Sequence, residues 1–524
     1  MKKTIRILAV ALFATGLCAF GTDRCFTEEE LAYMPATTQI ELYKAGILSP
    51  VEVLEAQIAR VQRYNGEYNT ELRDLNDEIG TFNAGKVNAI TFDCFAEARA
   101  QAREAEERYR NGTARHLEGI TVGVKDENEL AGWHVDMASI VLKGLPACTD
   151  DCPLIERLRA EGAIFVFQTT VPEFYINCMT WSRLYGVTRN PWNLYYGVGG
   201  SSGGSGAALA AGFCTLATGS DMGGSIRLPS SMCGVYGFKP PFGRVPTSEI
   251  AYETLGPMTR TFDDLVLMQN VIVGPHPKNH ASLRPRLDYP VEYAPLQGTK
   301  VAVAYADDWL EGGCDPDVRA ALDKVVAVLQ GLGAEIKVVA LGWQSDHGDL
   351  QIFNEGLLST EMYELVEIAD GQQDLVSSYV VPMCNPIDGL GPKALLKAGV
   401  LGDRIHRGVQ QAVFEDGCIA LVMPTLATAK VPADFLAPGA DPADVDGRAV
   451  AGSEFILTPV WNLLNRYPVV DVPVALGAQN VPIGIQVVGD TYDDLAAFRV
   501  AAALSKALPQ NYREGRFPDF RDQK

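Results

Sequence analysis

Apolar residues recur along the chain at two spacings. Val51, Leu54, Ile58 and Val61 fall at helical intervals behind Ser49-Pro50-Val51-Glu52. There a serine N-cap, a proline at the first helical position and a glutamate three residues after the cap mark a helix start. A second helix is predicted from about Cys94 to Arg110, stopped by Asn111-Gly112, and the run GITVGVKD after it reads as a short strand ending at Lys125. Pro153 opens the helix LIERLRAEG, which leads into the apolar run IFVFQTT at 164–170. The same grammar returns in KVAVAYA (300–306), DPDVRAALDKVVAVLQGLG and AEIKVVAL. CIALVMPT (418–425), VVDVPV (469–474) and IGIQVVG (483–489) read as buried strands ahead of a closing helix at about 491–508. Continuous apolar strands alternating with helices predict an α/β fold whose sheet is covered on both faces. Residues 426–452, rich in Pro, Ala, Asp and Gly, read as a surface excursion. There is no internal repeat and no clear interdomain linker.

The length of 524 residues suggests about three domains on length alone. The N-terminus, MKKTIRILAVALFATGLCAFG, has Lys2, Lys3 and Arg6 ahead of an apolar segment from Ile7 to Phe20, with Ala19-Phe20-Gly21 as a small-x-small cleavage site. This pattern predicts an export signal over residues 1–21, and hence a periplasmic or secreted protein. Cys18 has the wrong flanks for a lipoprotein signal. Cleavage would remove three basic residues and no acidic ones, taking the formal charge from -21 to -24. So acidic a chain is poorly suited to nucleic acid, whose nonspecific affinity comes from Lys and Arg displacing counterions. Beyond the signal no apolar run is long enough to span a bilayer, so no integral membrane segment is expected. Eleven cysteines and six histidines occur without CxxC, HExxH or HxH spacing, so no metal site is predicted.

Chemistry concentrates in residues 197–231, GVGGSSGGSGAALAAGFCTLATGSDMGGSIRLPSS, which hold ten glycines and seven serines. A flexible linker would not lead into the helix-forming run Ala207-Ala208-Leu209-Ala210-Ala211. A phosphate loop needs a terminal Gly-Lys-Ser/Thr, and the stretch has no lysine. Serine chemistry remains, in two forms. Gly199-Gly200-Ser201-Ser202-Gly203 fits the GxSxG nucleophile elbow of α/β-hydrolases, with Ser201 attacking and His276, His280, His347 or His406 as base. An elbow should follow a buried strand, yet RNPWNLYYGV precedes this one.

The second form uses the whole stretch. Gly199-Gly200-Ser201-Ser202-Gly203-Gly204-Ser205, a small-residue helix, and Gly219-Ser220-Asp221-Met222-Gly223-Gly224-Ser225-Ile226-Arg227-Leu228-Pro229 together resemble the signature of the amidase signature family. VKD (124–126), VPEF (171–174), NPWN (190–193), GVYGFKPPFGRVP (234–246), GPMTRT (256–261), NLLNRYPVVDVPV and VPIGIQVVGD are similar to further landmarks of that family. The resemblance covers nearly everything after residue 21. It implies one large domain over 22–524, with a mixed twisted sheet covered by helices on both faces and a variable substrate-pocket region at about 300–420. Thr170 stands where many members have Asn, and Pro241 where Thr is commoner. These departures weigh against the best-known subfamilies, including the amidotransferase A-type subunit.

Carried over by motif, the resemblance implies that Ser225 is the nucleophile, Ser201 a bridging serine after a cis peptide, and Lys125 the base. A serine hydroxyl attacks only when a neighbour takes its proton. A lysine can be that neighbour when burial or nearby charge favours its neutral form, and the end of a buried strand is such a place. The backbone N–H groups of Met222, Gly223, Gly224 and Ser225 are the expected oxyanion donors, in a segment where two glycines let a substrate approach closely. Ser202, Asp221 and Arg227 are expected to support the loop. The implied activity is hydrolysis of carboxylic amides, with esters or carbamates as further candidates, and without a cofactor. The expected partner is a small-molecule amide; a homodimer is left open.

Overall fold

The computed structural model describes residues 26–68, 83–247, 251–310, 312–343, 363–384 and 392–524. The predicted signal at 1–21, with Cys18, lies outside them, as does His347 and part of the 300–420 region. The first helix forms where its sequence signals stand. The Ser49 hydroxyl accepts the N–H of Glu52, whose carboxylate takes the Ser49 N–H in return, and Pro50 opens a helix that runs to Tyr64. Phe95–Arg110, Pro153–Ala160, Pro316–Gly331 and Asp494–Ala507 are likewise helical.

These helices cover an eleven-stranded sheet. Its strands, in chain order, are β1 (Ile90–Asp93), β2 (Thr121–Lys125), β3 (Ile164–Thr169), β4 (Leu216–Asp221), β5 (Tyr236–Lys239), β6 (Thr254–Thr259), β7 (Lys300–Val303), β8 (Glu335–Val338), β9 (Cys418–Pro424), β10 (Val469–Leu476) and β11 (Pro482–Val488). Across the sheet they stand in the order β1-β3-β2-β4-β6-β5-β10-β11-β9-β7-β8. β3, β2 and β4 are parallel neighbours, as are β9, β7 and β8, and the strands between these groups run antiparallel. The sheet is therefore mixed.

Burial on both faces follows from strand parity. Val122 and Val124 of β2 and Phe165 of β3 pack on one side with Leu154 and Leu158, while Ile164 of β3 faces the other with Ala98, Ala207 and Leu209. Successive side chains of a strand point to opposite faces, so two apolar neighbours in sequence feed two cores. Gly123 lies between the two valines. A Cβ there would stand 2.9 Å from Phe167 Cε2 and 3.2 Å from Cys214 Sγ, which explains a glycine inside a central strand.

Three central strands escape the apolar pattern. β4 (LATGSD) and β6 (TLGPMT) are rich in glycine, threonine and serine, and the short β5 (YGFK) holds a glycine and ends on a lysine, so none of the three makes a continuous apolar run. Their burial comes from neighbours on either side. Pro257 is accommodated because it pairs with Thr218 of β4 but lies beyond the short ladder of β5 with β6, which links only Tyr236 to Thr259 and Gly237 to Met258.

The surface reading of 426–452 is corrected by the structure. Leu426, Ala427, Val431, Ala433, Phe435, Ala443, Val445 and Val450 are all buried. Ala443–Val445 pairs with Arg448–Val450 as a hairpin, and the Phe435 carbonyl accepts the indole N–H of Trp181 at 2.8 Å. Irregular backbone can enter a core when its polar groups find partners, and composition alone does not reveal that. The nine cysteines among the described residues are free thiols, and none of the described helices is long and apolar enough to cross a membrane.

The Gly123 contact gives a test of the fold two residues from Lys125. Gly123→Ala should destabilise the protein by about 1–3 kcal/mol through overpacking against Phe167, measured as a lower urea midpoint with unchanged slope.

Candidate active site

Lys125 is the last residue of β2. Its backbone N–H donates to Thr218 Oγ1 of β4 at 2.9 Å, fixing the strand end where the side chain turns inward. That side chain is fully buried. Its Nζ hydrogen-bonds with Ser201 Oγ at 2.8 Å and with Ser220 Oγ at 2.7 Å, and stands 2.6 Å from Glu127 Oε2. The Tyr175 ring lies 5.2 Å from Nζ. Ser201 follows a cis Gly200–Ser201 peptide and sits two residues before the helix Gly203–Ala211. The site thus joins the ends of two parallel strands to the mouth of a helix.

Ser225 lies in the segment between β4 and the helix Arg227–Cys233. Its carbonyl accepts the Ser202 N–H at 3.1 Å, which ties this segment to the Ser201 turn. The side chain is partly exposed, whereas Ser201 is buried. Among the described residues nothing hydrogen-bonds the Ser225 hydroxyl. Gly224 has φ +126°, and a Cβ there would run into Thr458, so both the backbone and the space call for glycine. The Thr458 hydroxyl donates to the Gly223 carbonyl at 2.6 Å and holds the turn from the far side.

Asp221 organises this turn. Its carboxylate accepts the N–H groups of Gly224 at 3.0 Å, Ile226 at 3.2 Å and Arg227 at 3.3 Å, and takes the Arg227 guanidinium at 2.9 and 2.7 Å. The Gly224 N–H, one of the expected oxyanion donors, thus bonds Asp221 in this structure. The N–H groups of Met222, Gly223 and Ser225 have no acceptor among the described residues. Arg227 also reaches the Thr458 carbonyl, Gln486 Oε1 and Asn462 Oδ1, so its whole donor fork is used. Ser202 bridges the N–H and carbonyl of Ser220, each at 3.3 Å. Both Ser202 and the Asp221–Arg227 pair thus have structural surroundings.

Burial works to raise the Asp221 carboxyl, but the Arg227 charge and its hydrogen bonds, with Lys239 and Asn462, hold it below the ordinary carboxylate range. Glu127 follows the same logic. Burial opposes its charge, and the Lys125 ammonium with hydrogen bonds from Glu253, Lys125 and Ser220 overrides that, leaving the carboxyl lowered. Tyr175 is pushed well above the usual phenol range by burial and by Glu127, Asp126, Glu253 and Asp136 around it.

A second fully buried lysine, Lys239, offers a comparison. Its Nζ donates to Asn465 Oδ1 at 2.7 Å and the Pro240 carbonyl at 3.3 Å, and burial followed by the nearby Arg227 charge drives it well below the ordinary lysine range. It meets no serine. Of the histidines an elbow would use, His276 pairs with Glu156 at 2.9 Å, His406 meets the Tyr467 hydroxyl at 2.7 Å and His280 is exposed. No strand of the sheet leads into Ser201.

Glu127, Ser220 and Tyr175 were not singled out from the sequence. Glu127 was within reach, since it stands two residues beyond Lys125 and the Glu127 N–H closes a tight turn on the Lys125 carbonyl at 2.7 Å. Ser220 shares the strand parity of Thr218, which meets the same lysine. Tyr175 had no local signal: it follows Phe174 in a pair of residues with φ of +64° and +55° that only the surrounding fold imposes.

The family model described as Amidase matches residues 75–380, more than half of the chain. The chain is 31% identical over 493 residues to a glutamyl-tRNA(Gln) amidotransferase subunit of Desulforapulum autotrophicum, covering 86% of this chain and 96% of that protein. It is 29% identical over 493 residues to an acylamidase of Rhodococcus erythropolis, covering 92% and 97%. Its fold matches the crystal structure of a bacterial aryl acylamidase of the amidase signature enzymes with a TM-score of 0.78, at 25% identity over 91% of this chain and 96% of that one.

The buried ion pair under the turn can be tested directly. Arg227→Met should cost about 3–5 kcal/mol in urea unfolding, because it strands the Asp221 carboxylate without its counter-ion. Because the folded carboxyl is depressed, its contribution is fully present above the ordinary value near 3.8 and is lost as pH falls below it. Asp221→Asn should remove that part of the acid-induced loss.

Proposed function

The chain belongs to the amidase signature family and is an amidase acting on C–N bonds, and on that premise we propose that it hydrolyses small-molecule carboxylic amides through an acyl-enzyme on Ser225. The observation that carries this reading is the 2.8 Å hydrogen bond between buried Lys125 Nζ and Ser201 Oγ, with the Ser225 segment held to the same turn. Neutral Lys125 takes the Ser201 proton as Ser201 takes that of Ser225. Ser225 Oγ attacks the amide carbonyl, and the N–H groups of Met222, Gly223 and Ser225 receive the developing oxyanion. The relay run backwards protonates the leaving amine. Water, activated by the same relay, then releases the carboxylate and restores Ser225.

The partial exposure of Ser225 and the burial of Ser201 favour Ser225 as the attacking hydroxyl over the elbow reading. Esters and carbamates present the same electrophilic carbonyl and are proposed as secondary substrates. The N-terminal pattern supports export, with Thr22 as the mature N-terminus. The relative from Desulforapulum autotrophicum carries the name of an amidotransferase component; the formal charge of -21 and the export pattern of this chain favour hydrolysis instead.

A fluorophosphonate probe and an amide panel test the assignment. Ser225→Ala should abolish labelling and lower kcat by at least about 10³-fold, and Lys125→Ala should do nearly the same. Full labelling of the Ser225 variant would overturn the nucleophile. Loss of activity on replacing a histidine while Lys125→Ala stays active would install the elbow.

A further inference from the structure

The Lys125 amine is surrounded by three oxygens, and their hydrogen-bonding capacities are unequal. Glu127, as a carboxylate, can only accept. Ser220 has one proton, and its Oγ donates it to Glu127 Oε2 at 2.6 Å, so toward Lys125 it presents a lone pair. A neutral amine has two N–H bonds and one lone pair. The two N–H bonds are claimed by Glu127 and Ser220, at 2.6 and 2.7 Å, which leaves the lone pair for Ser201 Oγ at 2.8 Å. After the proton arrives, the ammonium has three N–H donors and the same three oxygens to receive them.

We infer that Glu127 is a positioning residue, which together with Ser220 aims the Lys125 lone pair at Ser201 and holds the ammonium formed when the Ser201 proton is transferred. The inference rests on the Ser225–Ser201–Lys125 reading above. The transfer conserves protons: one leaves Ser225 Oγ for Ser201 Oγ, one leaves Ser201 Oγ for Lys125 Nζ, and both return when the amine departs. The charges facing this pair are few. From the start of β6, Glu253 hydrogen-bonds Glu127, and from the 173–175 turn the Tyr175 phenol lies over Nζ. Asp126 turns away to the Ala138 N–H and to Asp136, and β4 contributes the neutral Ser220. Glu127 is thus the carboxylate in direct contact with the lysine, and its side chain is only 15% exposed, so solvent screens it little.

The sign of the effect is fixed. The base must be neutral to act, and a carboxylate beside it favours the charged form, so Glu127 raises the pH at which activity appears while stabilising the charge that forms on proton transfer. Glu127→Gln keeps the shape and removes the charge. Its kcat/KM profile should keep activity to lower pH, with the acid limb moved down by about one unit or more, and its plateau should fall about tenfold or more. Ser220→Ala, which removes an acceptor but no charge, should lower the plateau and leave the limb in place. Should Glu127→Gln fail to fold, Glu127→Asp, which withdraws the same charge, should lower the plateau with a smaller limb shift in the same direction. An unmoved limb in a folded Glu127 variant would overturn the inference, whether the plateau held or fell with thermal stability. If Lys125→Ala is inactive in that case, the base assignment stands and only the role of Glu127 is lost; wild-type activity in Lys125→Ala would remove both.

Discussion

The candidate site hangs on one buried ion pair. Asp221 ends β4 and Arg227 begins the next helix, and between them lie Met222, Gly223, Gly224, Ser225 and Ile226. A carboxylate with no water must be satisfied by protein donors, and Asp221 finds them in the Arg227 fork and in three backbone N–H groups of the segment it closes. The turn cannot relax without leaving a buried charge unpaired. It is therefore held in a shape where other N–H groups stay unclaimed and the Ser225 side chain stays accessible. The pair need not add net stability to do this, since its value lies in specifying one conformation of a glycine-rich loop.

Sequence landmarks far from this turn converge on it. Gln486 from β11, Asn462 from the helix Val460–Leu463 and the Thr458 carbonyl all bond Arg227, and Asn462 Nδ2 also meets the Asp221 carbonyl at 2.9 Å. Asn190 reaches the Gly197 carbonyl at 3.0 Å and that of Met232 at 2.7 Å, tying the strap before Ser201 to the helix after Ser225. The parallel pair β2 and β4 delivers Lys125 and Ser220 to one edge because their register sets Gly123 beside Ala217. Reactive groups at the C-terminal ends of adjacent parallel strands are a recurrent consequence of α/β architecture, where the loops leave the sheet together.

Much of this was legible in the chain, and the boundary of legibility is physical. The flanking strands β2, β3, β7, β9, β10 and β11 announce themselves because both faces are buried by their own apolar side chains. β4 and β6 do not, because their small polar residues are buried by company, and β5 does not, because its four residues include a glycine and a buried lysine. The same limit explains residues 426–452, whose apolar side chains follow no helix or strand period and yet fill the core. At the site, Lys125, Ser201 and Ser225 could be picked out by motif, but their partners could not. That the Gly224 N–H is spent on Asp221, and that Glu127 turns back onto the lysine beside it, are properties of turn geometry that spacing does not carry.

Burial alone does not prepare a lysine for base chemistry, and the two buried lysines of this protein separate the requirements. Lys239 is deprived of solvent and pushed far toward its neutral form, but its hydrogen bonds go to two carbonyl acceptors that occupy its N–H bonds, and among the described residues no hydroxyl bonds it. It satisfies the energetic condition for a base and fails the geometric one. Lys125 is equally buried, meets two serine hydroxyls and carries a carboxylate at contact distance. That carboxylate stands where it stabilises the ammonium formed when the Ser201 proton arrives. An amine must take a proton from a hydroxyl of far lower acidity when the substrate is attacked, so a carboxylate that receives the resulting ammonium assists the transfer. The strand end supplies the burial, and the turn after it supplies the charge.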